Sequence, residues 1–349
     1  MALNFELLKR LSETPGVAGR EDRVRDLVAA EMRPLVDDLT VDALGNVVGL
    51  KRGRGQRRVM LAGHMDEIGF MVRHVDEDGF LRIQPIGGFD ARMLLAQRVL
   101  VHSSGGELLR GVLTTATKPI HVLDREEIKV PKLDDFYVDL GLPAGRVKEQ
   151  VELGDFVTMD RTAERVGDRI IGKAMDDRVG VFVMIEALRQ MRSHEADVLA
   201  VATVQEEVGL RGAATSAYHL EPHVGIALDV TLAVDTPGAG KHEAISRLGQ
   251  GVAIALMNSS VISDPKLVRH FREIARREQI LHQMEILPRG GTDAGAIQRS
   301  RAGVPSITIS IPTRYVHTVN EMVDSADVEA AISLVARYLE EAHTGDYGR

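Results

Sequence analysis

Five separated segments of the chain carry side chains that ligate metals or move protons: His64-Met65-Asp66, Asp176-Asp177, Glu206-Glu207, Asp229 and His317. Each falls at or just past the end of an apolar run that reads as a buried strand, where an open α/β sheet presents its ligand-binding residues. Imidazoles and carboxylates of this number and type fit two divalent metal ions. A two-metal hydrolase needs one carboxylate bridging the ions, further ligands that finish each shell, and a base that takes a proton from the bridging water. His64 and Asp66 alternate by two along an extended segment, so both side chains can point the same way, as a ligand and the partner that orients it. Only one of Asp176 and Asp177 can cap the helix expected from Arg178, which leaves the other free. Adjacent glutamates at the end of a buried strand cost solvation unless they meet a cation or a substrate ammonium, and the same holds for Asp229 after the run 224–228. His317 alone would be an ordinary loop histidine; the coincidence of all five segments points to metal.

The rest of the composition narrows the field. The chain has 349 residues, enough for two packed cores, and no cysteine, which leaves any metal to imidazole and carboxylate ligands. With 51 Asp and Glu against 43 Lys and Arg, the balance is mildly acidic. An extended nucleic-acid footprint would need a local basic stripe, and the best candidate, 51–58, reads instead as a solvated hairpin loop between two strands. Residues 1–10 carry an amphipathic helix pattern without the uncharged run of a signal peptide, and no apolar stretch approaches membrane-spanning length. The expectation is a soluble, cytoplasmic protein with neither nucleic-acid nor membrane partners.

Positioning these residues requires an α/β framework. Helices are expected over 5–11, capped by Asn4, and over 21–35, and strands over 41–50, with a turn at Gly45-Asn46, and over 59–62. From 69 to 161 the texture is short β-like runs between turns, with helical periodicity only over 91–97, which reads as an inserted β-rich unit. From 170 onward, apolar strands (198–204, 224–228, 307–311) alternate with amphipathic helices (178–191, 265–277, 326–342), the pattern of a mostly parallel sheet. The expected architecture is a three-layer α/β domain made of 1–68 and 163–349, interrupted by a β-barrel-like domain over 69–162.

The segments Ala62-Gly63-His64-Met65-Asp66-Glu67-Ile68-Gly69, Lys173-Ala174-Met175-Asp176-Asp177-Arg178-Val179-Gly180, Gln205-Glu206-Glu207-Val208-Gly209, Leu228-Asp229, Gly290-Gly291-Thr292-Asp293-Ala294-Gly295 and Arg314-Tyr315-Val316-His317-Thr318 occur in this order. Together they resemble the tetrahedral aminopeptidases, which include glutamyl aminopeptidases and proteins labelled endoglucanase or cellulase M, over essentially the whole chain. The resemblance implies a dinuclear metallo-aminopeptidase acting on short peptides, with two divalent ions per subunit, zinc or cobalt. It makes Asp176 the bridging carboxylate, places His64 and Asp229 on one ion and Glu207 and His317 on the other, and makes Glu206 the general base. Asp66 then orients His64 through its distal ring nitrogen, the Asp176–Asp177 peptide is cis, and Thr292 and Asp293 border the substrate. It also implies that the β insert makes dimers, which assemble into a hollow dodecamer.

Relatives read Leu-Gly-Lys-Gly-Pro where this chain has Leu248-Gly249-Gln250-Gly251-Val252. Without that lysine, a preference for neutral aliphatic or varied N-terminal residues is expected, with Arg211 and Lys241 as the cations to consider for an acidic one. The same ligands would also serve an N-deacylase or carboxypeptidase. A glycosidase built on Glu206 and a second carboxylate has no need of His64, Asp229 and His317. A non-catalytic metal site has no need of Glu206 beside Glu207.

Overall fold

A computed structural model describes residues 3–118, 120–122 and 129–348. The chain opens with α1 (Phe5–Glu13), where the Asn4 side chain accepts the Leu7 N–H as a cap, and α2 (Asp22–Met32). Leu7, Leu8 and Leu11 of the first and Val24, Val28 and Met32 of the second are buried, as their helical spacing demands. The hairpin of β1 (Asp38–Val41) and β2 (Val47–Lys51) leads to β3 (Arg58–His64).

Six strands follow: β4 (Gly69–Val75), β5 (Leu81–Ile86), β6 (Gln97–His102), β7 (Leu108–Thr115), β8 (Phe136–Asp139) and, after the short α3 (Ala144–Gln150), β9 (Phe156–Met159). They close into an antiparallel barrel in the order β4-β5-β8-β7-β6-β9. Closure leaves no free sheet edge, and the interior is filled by side chains such as Phe70, Val72, Leu81, Val99, Leu113 and Val157. The helix expected over 91–97 is only a 3-10 turn, Ala91–Met93, because β6 begins at Gln97.

The chain then returns to the first unit through β10 (Glu164–Val166), β11 (Arg169–Gly172), α4 (Met175–Gln190), β12 (Asp197–Thr203), α5 (Arg211–Leu220) and β13 (Val224–Leu232). It finishes with β14 (Val252–Met257), α6 (Pro265–Arg277), β15 (His282–Ile286), α7 (Asp293–Gln298), β16 (Ser306–Arg314), β17 (Glu321–Asp324) and α8 (Ser325–Glu341). One sheet runs in the order β1-β2-β12-β3-β13-β16-β17-β11-β10, with β14 and β15 branching from β16. Its centre, β12-β3-β13-β16, is parallel, and the flanks add antiparallel pairs. Successive residues of β3 face opposite layers: Val59 and Leu61 join the core under α1, α2, α4 and α8, while Met60 and Ala62 pack with Ala213 and Ala217 of α5 and Ile297 of α7. That is the three-layer arrangement.

Segment 51–58 is not a hairpin loop, because β12 lies between β2 and β3 in the sheet. The segment crosses the end of β12, where the Gly53 N–H donates to Asp197 and the Gly55 N–H to the Glu195 carbonyl. A strand that arrives more than a hundred residues later is invisible to local turn logic.

Candidate metal centre

The parallel register sets Thr203 beside His64, so β3 and β12 deliver His64 and, two residues past β12, Gln205-Glu206-Glu207 at the same edge of the sheet. Asp229 lies inside β13, which continues to Leu232 rather than stopping at Leu228, and its register partner is Ser310 of β16. His317 sits between β16 and β17. Asp176 and Asp177 are joined by a cis peptide and have non-helical dihedrals, so the regular part of α4 begins at Arg178.

The donor atoms converge. His64 Nε2 is 3.1 Å from Asp176 Oδ1 and 3.8 Å from Glu206 Oε2, while His317 Nε2 is 3.2 Å from Asp176 Oδ2 and 3.4 Å from Glu207 Oε1. Each Asp176 oxygen therefore faces a different imidazole. Two ligands bound tetrahedrally at zinc-type bond lengths of about 2.0–2.2 Å are themselves about 3.3–3.6 Å apart, close to these separations. Two sets of donors, from His64, Asp176 and Glu207 and from His64, Asp177 and Asp229, gather within 4.8 Å. Asp177, however, is already engaged: its Oδ2 accepts the His64 N–H at 3.1 Å and its Oδ1 the Gly180 N–H at 3.0 Å. It is the capping member of the pair, and a Cβ at position 180 would lie 2.3 Å from its Oδ1, so only glycine fits there.

Two further buried carboxylates hold backbone rather than side chains. Asp66 accepts the Glu206 N–H at 3.0 Å and the Glu207 N–H at 3.1 Å, one on each oxygen. The nearer contact of His64 Nδ1 is the Asp66 carbonyl at 3.0 Å; the carboxylate is 3.5 Å away. Glu321 accepts the Asp176 N–H at 3.0 Å and the His317 N–H at 2.7 Å. Behind them, Lys173 Nζ pairs with Glu67 at 2.5 Å, and the Arg178 guanidinium donates to the carbonyls of Leu11, Thr14 and Met65, tying the N-terminal segment to the end of β3.

Electrostatics supply a test of whether cations fit. Burial, then the proximity of other carboxylates, pushes Glu206 and Asp229 well above the usual carboxylate range, although His64 pulls the other way. Asp176 is buried too, but its bonds from His317 and His64 hold it low. His317 is pushed up to about 12, because Asp176 and Glu207 outweigh its desolvation. Crowded buried carboxylates facing two imidazoles are the environment that divalent ions relieve.

Asp176, Glu206, Glu207, Asp229 and His317 line a cavity of ≈ 1010 Å³. Val230, Thr231, Leu232, Leu287 and Gly290-Gly291 form part of its wall. Thr292 and Asp293 do not line it: Thr292 is buried against Asn258 and Thr308, and Asp293 accepts the Thr203 hydroxyl at 2.5 Å, so they lie beneath the Gly290-Gly291 wall. The barrel contributes Gly88, Phe89, Asp90, Met93 and Gln97 to the same cavity. A Cβ at the left-handed Gly87 would meet Ile68 at 2.5 Å and Glu207 at 3.2 Å, so glycine is required where the barrel loop passes the site.

Gln250 and Arg211 do not line the cavity; Gln250 bonds to the adjacent Gly249 carbonyl and Arg211 to Gln205. The side chain of Lys241 lies outside the described residues. The cation at the cavity that the sequence did not single out is Arg289, which stands immediately before the Gly-Gly wall. Glu321, four residues after His317, was also missed, because nothing in its spacing says that its target is a pair of main-chain N–H groups.

Known proteins resemble this chain in sequence and fold. The chain is 38% identical to the lysyl aminopeptidase of Pyrococcus furiosus over 99% of each protein. It superposes with a TM-score of 0.92 on an aminopeptidase of the archaeon Desulfurococcus kamchatkensis, at 44% identity over 96% of this chain and 94% of that one. It matches the Pyrococcus horikoshii TET1 peptidase, which assembles into a tetrahedron or a large octahedral shell, with a TM-score of 0.86 at 32% identity over 97% and 99% of the two chains. The sequence pattern of the M42 glutamyl aminopeptidases matches residues 45–334, and the chain belongs to that family, as a metal-dependent aminopeptidase.

Proposed function

We propose that this site holds two divalent cations, zinc or cobalt, and releases N-terminal residues from short peptides. The observation that carries the reading is Asp176, whose two oxygens face different imidazoles at 3.1 and 3.2 Å. Asp176 would bridge the ions, with His64 and Asp229 completing one position and Glu207 and His317 the other. Bound there, the cations supply Lewis acidity and lower the pKa of a coordinated water to about 7. Glu206 accepts the proton that the attacking water gives up and passes it to the leaving amine. Asp66 fixes where Glu206 and Glu207 stand by holding both of their N–H groups. The free amino terminus of the peptide meets the carboxylates of the cluster, and Thr292 and Asp293 support the glycine wall that borders the substrate.

Residues 1–68 and 163–349 would then form the catalytic domain, and 69–162 the dimerisation domain. Dimers would build a dodecamer in the cytoplasm, whose interior admits short unfolded peptides. The Pyrococcus horikoshii relative, which forms a tetrahedron, supports this reading. With Val230, Leu232 and Leu287 in the wall, a neutral aliphatic or varied first residue is preferred.

Metal analysis combined with chelation and add-back on leucyl, glutamyl and lysyl anilides tests the reading. The expected result is two ions per subunit, loss of turnover on chelation, recovery on adding zinc or cobalt, and no cleavage of N-acetylated substrates. Cleavage of the acetylated compounds would favour an N-deacylase, and activity indifferent to chelation would overturn the metal mechanism. A glutamyl preference above about tenfold, ~1.4 kcal/mol, would instead point to Arg289 as a carboxylate anchor.

A further inference from the structure

Glu321 starts β17, the strand that lies between β16 and β11. β16 runs on into the loop bearing His317, and β11, with Gly172 paired to Glu321, runs on through Ala174 to Asp176. The glutamate is thus lodged between two segments that are far apart in sequence and that each deliver one side chain to the cluster. It is 2% exposed and spends both oxygens on main-chain donors, Oε2 on Asp176 and Oε1 on His317. The side chains of those residues stand 3.2 Å apart.

The two held residues are not equally secure. Asp176 is followed by Asp177, itself fixed by bonds from the His64 and Gly180 N–H groups. His317 has a left-handed backbone, φ 63°, two residues after Tyr315 at φ 60°, a conformation unfavourable for a non-glycine residue. Among the described hydrogen bonds, its N–H donates to Glu321. Asp66 does the corresponding job for Glu206 and Glu207, so the same device occurs on both sides of the site.

We propose that Glu321 is a positioning residue that clamps the main chain of His317 against that of Asp176 and thereby sets the affinity of one of the two metal positions, the one completed by Glu207 and His317. This rests on the ligand assignment proposed above. Replacing the carboxylate by an amide leaves one acceptor for two donors and turns an NH2 group toward an N–H. His317, whose neighbour Thr318 bonds within its own loop to Tyr315 and Asn320, whereas Asp177 ties Asp176 to the end of β3, loosens first.

Zinc binding to the full-length wild-type and Glu321→Gln proteins, measured by titration against a competing chelator, tests the clamp. Two ions are expected for wild type; in the variant one stays at wild-type affinity and the other weakens by about 10–100-fold, the range for lost outer partners of metal ligands. Turnover of a leucyl anilide by the variant should then recover as zinc is raised, with KM unchanged. If Glu321→Gln does not fold, Glu321→Asp, which keeps the charge but is one methylene shorter, should show the same selective loss in milder form. Equal weakening of both ions, or of neither, in a folded variant overturns the clamp alone. Wild-type protein that binds fewer than two ions overturns the ligand assignment, and the clamp with it.

Discussion

The barrel and the central sheet are both built of buried strands, yet they spend their burial on opposite things. Inside the barrel the strands enclose apolar side chains, and its left-handed turn positions are mostly glycines, such as Gly79, Gly106, Gly141 and Gly154. At the ligand-bearing edge of the sheet the strands deliver carboxylates into a buried cluster, and Ala174, Gln205, Tyr315 and His317, none of them glycine, carry positive φ beside it. Each such residue stores of order 1–3 kcal/mol, which the surrounding structure must offset. One region buries apolar side chains against one another; the other gathers buried carboxylates and imidazoles at one site.

The sharpest way to break this contrast is to remove chemistry without disturbing the fold. Glu206→Gln should keep both metals and the melting temperature while lowering kcat by about two to four orders of magnitude, the usual worth of a positioned proton acceptor. Steady-state kinetics with parallel metal analysis check it, and wild-type turnover would strip Glu206 of its role. Asp176→Asn should act differently, lowering the occupancy of both positions, because a single carboxylate serves two ions; full metal content in that variant would take it off the bridge.

Much of this site was legible because burial makes polar residues conspicuous. A Glu-Glu pair after the apolar run 198–204, or an aspartate at the end of the apolar run 224–228, contradicts its surroundings unless something charged is held there, and all three residues sit in the cluster. The start of α1 was legible from a local signal with a local effect, Asn4. Long-range pairing left no such mark. Nothing near 51–58 announces that β12 will insert between its flanking strands, and nothing near Glu321 names its two partners. Choosing between Asp176 and Asp177 required knowing which of them caps α4.

A third prediction probes the barrel side of the comparison. Leu113 is fully buried in the barrel interior, and Leu113→Ala should cost ~2–5 kcal/mol through lost burial and the cavity left behind. Zinc stoichiometry per folded chain should stay at the wild-type value, because Leu113 is absent from the walls of the metal cavity. Denaturant unfolding with metal analysis of the folded fraction separates the two effects. A proportional loss of bound zinc would show that the barrel core and the metal edge form one cooperative unit.

The smallest effect concerns Glu285, a buried carboxylate of β15. Burial pushes it up from 4.5 to about 7, and the nearby Ser310 and Thr231 hydroxyls, off the geometry of full hydrogen bonds, offset this only in part. Between these values the folded protein keeps a proton that the unfolded chain has released, so stability falls as pH rises through the window. The contribution is fully present below 4.5 and gone above about 7. A neutral Glu285→Gln side chain has no proton to lose, so the variant should gain up to ~3 kcal/mol over wild type at alkaline pH, with the gain shrinking toward acid pH. Urea unfolding of both proteins across the pH range reads this directly. Parallel curves for the two would mean that Glu285 stays charged in the fold, and would require a buried cation beside it.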